Sequence, residues 1–119
     1  MQDRFQFRVW KGKENRMVYD VTYLNPLLLD PNIDPENKHN SIMQCTGMKD
    51  DNDKLIYEGD VVKVRHVTPI GSIREEVGVV EWKYYQFWIM YNKGLSSTLY
   101  HEDNTYEILG NIYENPDLI

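Results

Sequence analysis

The tightest constraint on the fold is a strict two-residue alternation near the N-terminus. Phe5, Phe7 and Val9 alternate with Arg4, Gln6 and Arg8, and a period of two puts the two sets on opposite faces of an extended strand. Lys11-Gly12-Lys13-Glu14-Asn15 follows as a polar, glycine-containing connection of hairpin length. Met17, Tyr19, Val21 and Tyr23 then resume the period against Arg16, Asp20 and Thr22, which reads as the second strand of an antiparallel hairpin. Composition extends the inference to the whole chain. The 119 residues include nine Tyr, three Trp and three Phe, and no alanine. Lacking the best helix former and rich in side chains that suit a pleated, half-buried surface, the chain is expected to be mainly β with little helix.

Past Asn25 the alternation stops. Asn25-Pro26, Asp30-Pro31 and Asp34-Pro35 put three prolines behind turn-forming residues, a long loop in which Asp34 and Pro35 would open a short helix. Leu27-Leu28-Leu29 inside it must fold back over the core or meet a partner. A short strand is expected at 41–46, ending at Gly47, and then a polar turn over Lys49–Asp53. Glu58-Gly59-Asp60 opens a strand over 61–67 with Val62 and Val64 on its core side. Residues 68–72 break it, and pairing resumes at 77–82. Residues 87–91 are apolar on both faces, as expected of a doubly covered or interface strand. Residues 92–105 have no clear pattern. Residues 106–109 read as a strand, Gly110-Asn111 as a tight turn and Ile112-Tyr113 as a short return. Several short strands with turn chemistry between them predict a small barrel or sandwich.

Charge argues against a dedicated nucleic-acid binder. The 13 Lys and Arg face 19 Asp and Glu, a net charge of −6, whereas such binding draws on excess positive charge. No apolar run of membrane-spanning length and no signal-peptide core is visible. Cys45, the one cysteine, cannot form a disulfide within the chain. These features predict a cytoplasmic protein in a reducing compartment.

Four separated blocks carry a family resemblance. They are Phe5-Gln6-Phe7-Arg8-Val9-Trp10 with Met17-Val18-Tyr19-Asp20, then Met43-Gln44-Cys45-Thr46-Gly47-Met48-Lys49-Asp50, then Ile56-Tyr57-Glu58-Gly59-Asp60-Val61-Val62, and Gly110-Asn111-Ile112-Tyr113-Glu114-Asn115-Pro116. In this order they resemble the YopX family of phage and prophage proteins. The resemblance implies a two-part, mostly β protein of a phage or prophage in a bacterial host. Its parts would be a hairpin and Pro-rich loop over 1–46 and an SH3-like barrel over 47–119. It brings no catalytic residues. The chain departs from the family pattern at Asp51-Asn52-Asp53, where an Asn-Gly type of turn is usual.

Chemistry-bearing residues do not assemble into a known motif. His39, His66 and His101 have no Cys or His partner at metal-binding spacing. The acidic group Asp50, Asp51, Asp53, Glu58 and Asp60 fails the calcium-loop pattern, because a loop begun at Asp51 places Leu55 and Val62 where oxygen ligands are needed. Neither a nucleophile elbow nor a glycine-rich phosphate loop is present. The expectation is a protein that is not an enzyme and carries no metal or cofactor. An enzymatic reading would need Asp50, Asp53 and a histidine to converge in a cleft.

Two binding surfaces suggest themselves. The aromatic strand region, with Tyr84, Tyr85, Trp88 and Leu28 as anchors, suits a protein partner or a second copy of the chain. The alternative is a nucleic-acid surface on the outer face and tip of the first hairpin, using Arg4, Arg8, Lys11, Lys13 and Arg16, with Trp10 stacking on a base. Residues 1–20 hold five basic side chains and residues 101–119 five acidic ones without Lys or Arg. The two ends are thus expected to attract each other, either between copies or within one chain.

Overall fold

The computed structural model describes residues 6–21, 30–91, 96–99 and 104–118. Among these it contains nine strands: β1 (Phe7–Lys11), β2 (Arg16–Val21), β3 (Asn40–Lys49), β4 (Leu55–Tyr57), β5 (Asp60–Val67), β6 (Ile73–Lys83), β7 (Gln86–Tyr91), β8 (Ser96–Thr98) and β9 (Asn104–Asn111). Helix among the described residues is confined to 3-10 segments at Pro35–His39 and Pro116–Leu118. The protein is mainly β, and its curled sheets form a half-barrel. No helix among the described residues is long and apolar enough to cross a membrane.

One sheet has the order β2-β1-β3-β4 and the other β8-β7-β6-β5-β9. The main core lies on the concave face of the second sheet. Val62, Val64, Val80, Phe87, Ile89, Leu99 and Tyr106 pack there with Ile56 of β4. The alternation in β5 and β7 selects these residues, since each strand turns every second side chain inward. The Tyr106 hydroxyl donates to the Leu99 carbonyl and thereby ties Leu99 to β9. The two sheets meet where the turn at Glu58-Gly59 leads from β4 into β5.

Three expected boundaries move, each for a local reason. β3 does not stop at Gly47 but runs on to Lys49, because Gly47 adopts a φ of 83° and absorbs an irregularity in the β3–β4 register between Cys45 and Lys49. β3 pairs with β1 through residues 40–44 and with β4 through 45–49, so the 46/47 division lies inside a continuous strand. β6 begins at Ile73 rather than 77. Its polar first half pairs with β5 from Val64–Glu76 to Val67–Ile73, and cross-strand charge accompanies the pairing: Lys63 Nζ lies 3.5 Å and Arg65 Nη2 3.9 Å from Glu75. Finally, β9 continues through Gly110 and Asn111, with a turn where a return strand was expected. The Asn111 carboxamide oxygen accepts the N–H groups of Tyr113 and Glu114 at 3.0 and 2.9 Å, closing that turn. The expected helix behind Asp34 is present as the 3-10 turn at Pro35–His39.

Candidate functional site

The β6–β7 hairpin supplies the first candidate surface. Lys83 pairs with Gln86, so Tyr84 and Tyr85 alone make the loop. A two-residue loop that matches strand twist needs positive φ at both positions, which favours Asn-Gly. Here tyrosines take φ values of 50° and 66°, a conformation costing about 1 kcal/mol or more per side-chain-bearing residue. Both rings nevertheless stand in solvent, 85% and 94% exposed. Behind them Trp88 donates its indole N–H to the Lys83 carbonyl at 3.0 Å. Lys83, Tyr84, Trp88, Met90 and Ser96 line an open pocket of about 370 Å³. β7 is therefore covered on one face by the core and carries this aromatic surface on the other. Of the four expected anchors, Tyr84 and Trp88 line this pocket together, Tyr85 projects into solvent beside Tyr84, and Leu28 lies outside the described residues.

The first hairpin does not present the basic face expected of it. Arg8 is buried, and so are its neighbours Val9 and Trp10. Three consecutive buried residues mean that both faces of β1 are covered, because successive side chains of a strand point to opposite faces. Arg8 as an outer-face nucleic-acid contact is thereby corrected: alternation assigned it to the polar side, but that side is closed by the second sheet. Trp10 is spent as well, stacked on Tyr113 with ring centroids 5.5 Å apart. That stack joins the N-terminal strand to the C-terminal segment within one chain. Lys11 lies 2.7 Å and Arg16 3.6 Å from Glu14. The hydrogen bond from Lys11 holds the Glu14 carboxyl below its ordinary range despite slight desolvation. Lys13 is exposed at the tip, and Arg4 lies outside the described residues.

Arg8 has a partner that the sequence did not reveal. Its Nη2 lies 2.8 Å from Asp60 Oδ1, both side chains being 3% exposed, and also donates to the Glu58 carbonyl at 3.1 Å. The other Asp60 oxygen accepts the Tyr57 N–H at 2.8 Å. The Arg8 guanidinium sits 4.9 Å from the Tyr57 ring centroid and 5.9 Å from that of Tyr19. Burial pushes the Asp60 carboxyl up to about 6, the attraction of Arg8 and the Tyr57 N–H offsetting only part of that cost and Asp50 adding to it. Burial also raises Glu58, with Glu81 adding to the shift and the Gln44 N–H opposing it. Gly59 has a φ of +89°, and a Cβ there would lie 2.9 Å from Met43 Sδ. Glycine is thus required where the ion pair crosses between the sheets. Beside the pair opens a cleft of about 910 Å³, whose walls include Arg8, Tyr19, Lys49, Lys54, Tyr57 and Asp60.

The remaining polar groups are consumed structurally. Asp50 accepts the N–H groups of Asn52, Lys54 and Ile108 at 3.0, 2.9 and 3.0 Å. Burial would raise its carboxyl, but these bonds outweigh it and hold the group below its ordinary value. Asp53 reaches the cleft, but no histidine is among its described lining residues. His66 instead joins a polar layer at one end of the core. Its Nδ1 lies 3.1 Å from Asn104 Oδ1 and its Nε2 3.4 Å from the Tyr91 hydroxyl, which lies 2.8 Å from Ser97 Oγ. Among the described residues no group of three His, Cys, Asp or Glu side chains could hold a metal ion. Cys45 is buried, and its Sγ accepts the Gly47 N–H at 3.4 Å.

These features define a small, mostly β protein of two hydrogen-bonded sheets, joined through a buried ion pair and carrying an aromatic hairpin tip. Within that class the sequence is decisive: the model of the YopX protein family matches residues 6–119, and the chain belongs to that family. Two solved structures share the fold. One is YopX from Bacillus subtilis, 23% identical with a TM-score of 0.65, covering 98% of each chain. The other is protein EF1440 from Enterococcus faecalis, 23% identical with a TM-score of 0.62, covering 95% of this chain and 96% of that one. A search of curated proteins finds no match.

Proposed function

We propose that the protein is a non-enzymatic interaction module, an accessory of a phage or prophage in the host cytoplasm, that works by self-association through the β6–β7 tip. The observation that carries this reading is the pair Tyr84-Tyr85. Two large aromatic side chains occupy a turn that asparagine and glycine would fill at lower free energy, and neither ring packs into the core. A strained, solvent-facing aromatic pair contributes nothing to folding that offsets its cost, which points to a role in recognition. Tyrosine and tryptophan are the residues best suited to that role, since they bury much area for little lost side-chain freedom. The pocket formed with Trp88 and Met90 gives the tip a recess as well as a projection.

The test replaces Tyr84-Tyr85 by Asn-Gly. The variant should be more stable by about 1–2 kcal/mol in urea denaturation, because the strain is relieved. On a sizing column with light scattering, the parent should show a concentration-dependent mass above the monomer and the variant should not. A parent that stays monomeric, or a variant that associates equally well, would overturn the reading.

A further inference from the structure

We propose that the cleft at the junction of the two sheets binds a nucleoside phosphate, with the base against Tyr19 and the phosphate at Lys49 and Lys54. This site is separate from the hairpin tip, and neither depends on the other. The cleft has about 910 Å³, room for a mononucleotide, and it lies between two packed units, a common place for small-molecule sites. Tyr19 forms its aromatic wall. The ring meets Tyr57 edge to face at a centroid distance of 6.0 Å, and Arg8 sits 5.9 Å from its centroid. It is thus braced from the protein side while 49% exposed, the condition in which a planar base can add a stacking partner.

Charge selects the rest of the ligand. Lys49 and Lys54 flank the Asp50–Asp53 turn and both line the cleft. Of the carboxylates that share it, Asp60 is neutralised by Arg8. Glu114 accepts the Asn111 side-chain amide at 2.8 Å. Asp53 lies 3.4 Å from Lys49, but its side chain is 84% exposed, a pairing weak enough for a phosphate to replace. A bare anion would leave the Tyr19 wall unused, and an uncharged ring would leave the lysines unused. A ligand carrying both a ring and a phosphate uses both. The same chemistry is offered by a free nucleotide and by one residue of a single strand.

The test is an amide-resolved NMR titration of the full chain with AMP, adenosine, inorganic phosphate and a short oligothymidylate. AMP should shift amides around Tyr19, Lys49 and Tyr57 at sub-millimolar concentration, with adenosine and phosphate each binding more weakly. Tyr19→Ala should weaken AMP by about five-fold or more, the range of one stacked base. Lys49→Gln with Lys54→Gln should weaken it by about ten-fold and flatten its salt dependence. These three side chains are exposed, so the variants should keep the parent spectrum. No shift in the cleft with any probe overturns the site. Phosphate binding as tightly as AMP, or an unchanged AMP affinity in Tyr19→Ala, overturns the nucleoside assignment. If the oligonucleotide displaces AMP from the same amides, the site takes a strand; if AMP binds and the oligonucleotide does not, it takes the free nucleotide.

Discussion

Replacing Arg8 by methionine would expose what the buried ion pair does. The substitution keeps most of the apolar stem but removes the charge facing Asp60, leaving a carboxylate that is 3% exposed with one hydrogen bond from Tyr57. Breaking a buried pair from one side costs about 3–5 kcal/mol, and the sign of its pH dependence follows from Asp60. Its folded value of about 6 lies above the ordinary 3.8, so the protonated form favours the fold. The stability Asp60 contributes is therefore complete below about pH 4 and lost as pH rises towards 6, about 3 kcal/mol in all. Without Arg8 the carboxyl should rise further. Arg8→Met should thus be about 3–5 kcal/mol less stable than the parent at pH 8 and recover much of that at pH 5, where Asp60 takes a proton. Asp60→Asn strands the guanidinium instead, which stays charged at both pH values, so its loss should not recover. The double variant Arg8→Met with Asp60→Leu should lie near the parent, since apolar replacement of a whole buried pair is often neutral. Urea denaturation followed by tryptophan fluorescence at the two pH values reads all four proteins. A loss below about 1 kcal/mol for Arg8→Met, or a double variant no more stable at pH 8 than Arg8→Met alone, would refute the reasoning.

Three further outcomes are expected. Asp50→Ala should cost about 2–3 kcal/mol by leaving three backbone N–H groups without their acceptor. Because the folded value of Asp50 is lowered, its contribution should be present above its ordinary pKa and disappear as pH falls through the lowered one, opposite in sign to Asp60; a denaturation series in pH checks both. Gly59→Ala should destabilise by about 1–3 kcal/mol, from positive φ together with the close approach to Met43, and the loss should show in the thermal midpoint. The Cys45 thiol should stay unreactive towards a disulfide reagent under native conditions and react at the rate of unfolding, because it is wholly buried.

Much of the fold was legible because alternation is a local signal. The β1–β2 hairpin, the inward Val62 and Val64 and the break at 68–72 follow from neighbours two residues apart. What stayed hidden depends on distant partners. The polar start of β6 is a strand because β5 pairs with it along its whole length, and Gly47 reads as a stop until its bulge is seen. Arg8 shows the limit most plainly. Alternation correctly set it opposite Val9, but nothing within a few positions announces that Asp60, on another sheet, closes that side. The candidate anchors Tyr84, Tyr85 and Trp88 were visible as an aromatic run, whereas the strain at the turn became apparent only from the backbone angles.

The carboxylate of Asp50 also helps to cover a sheet edge. β9 is the long outer strand of its sheet, and such strands invite another chain to zip on by backbone pairing. Here the Tyr106 carbonyl receives the Asp51 N–H at 2.8 Å, and the Ile108 N–H is occupied by Asp50. The outward rung is thus filled by a loop acting as a false strand. At the opposite border β8 is only three residues long. At these two borders the sheet offers another chain little unpaired backbone to add to, and a loop rather than a further strand does the covering.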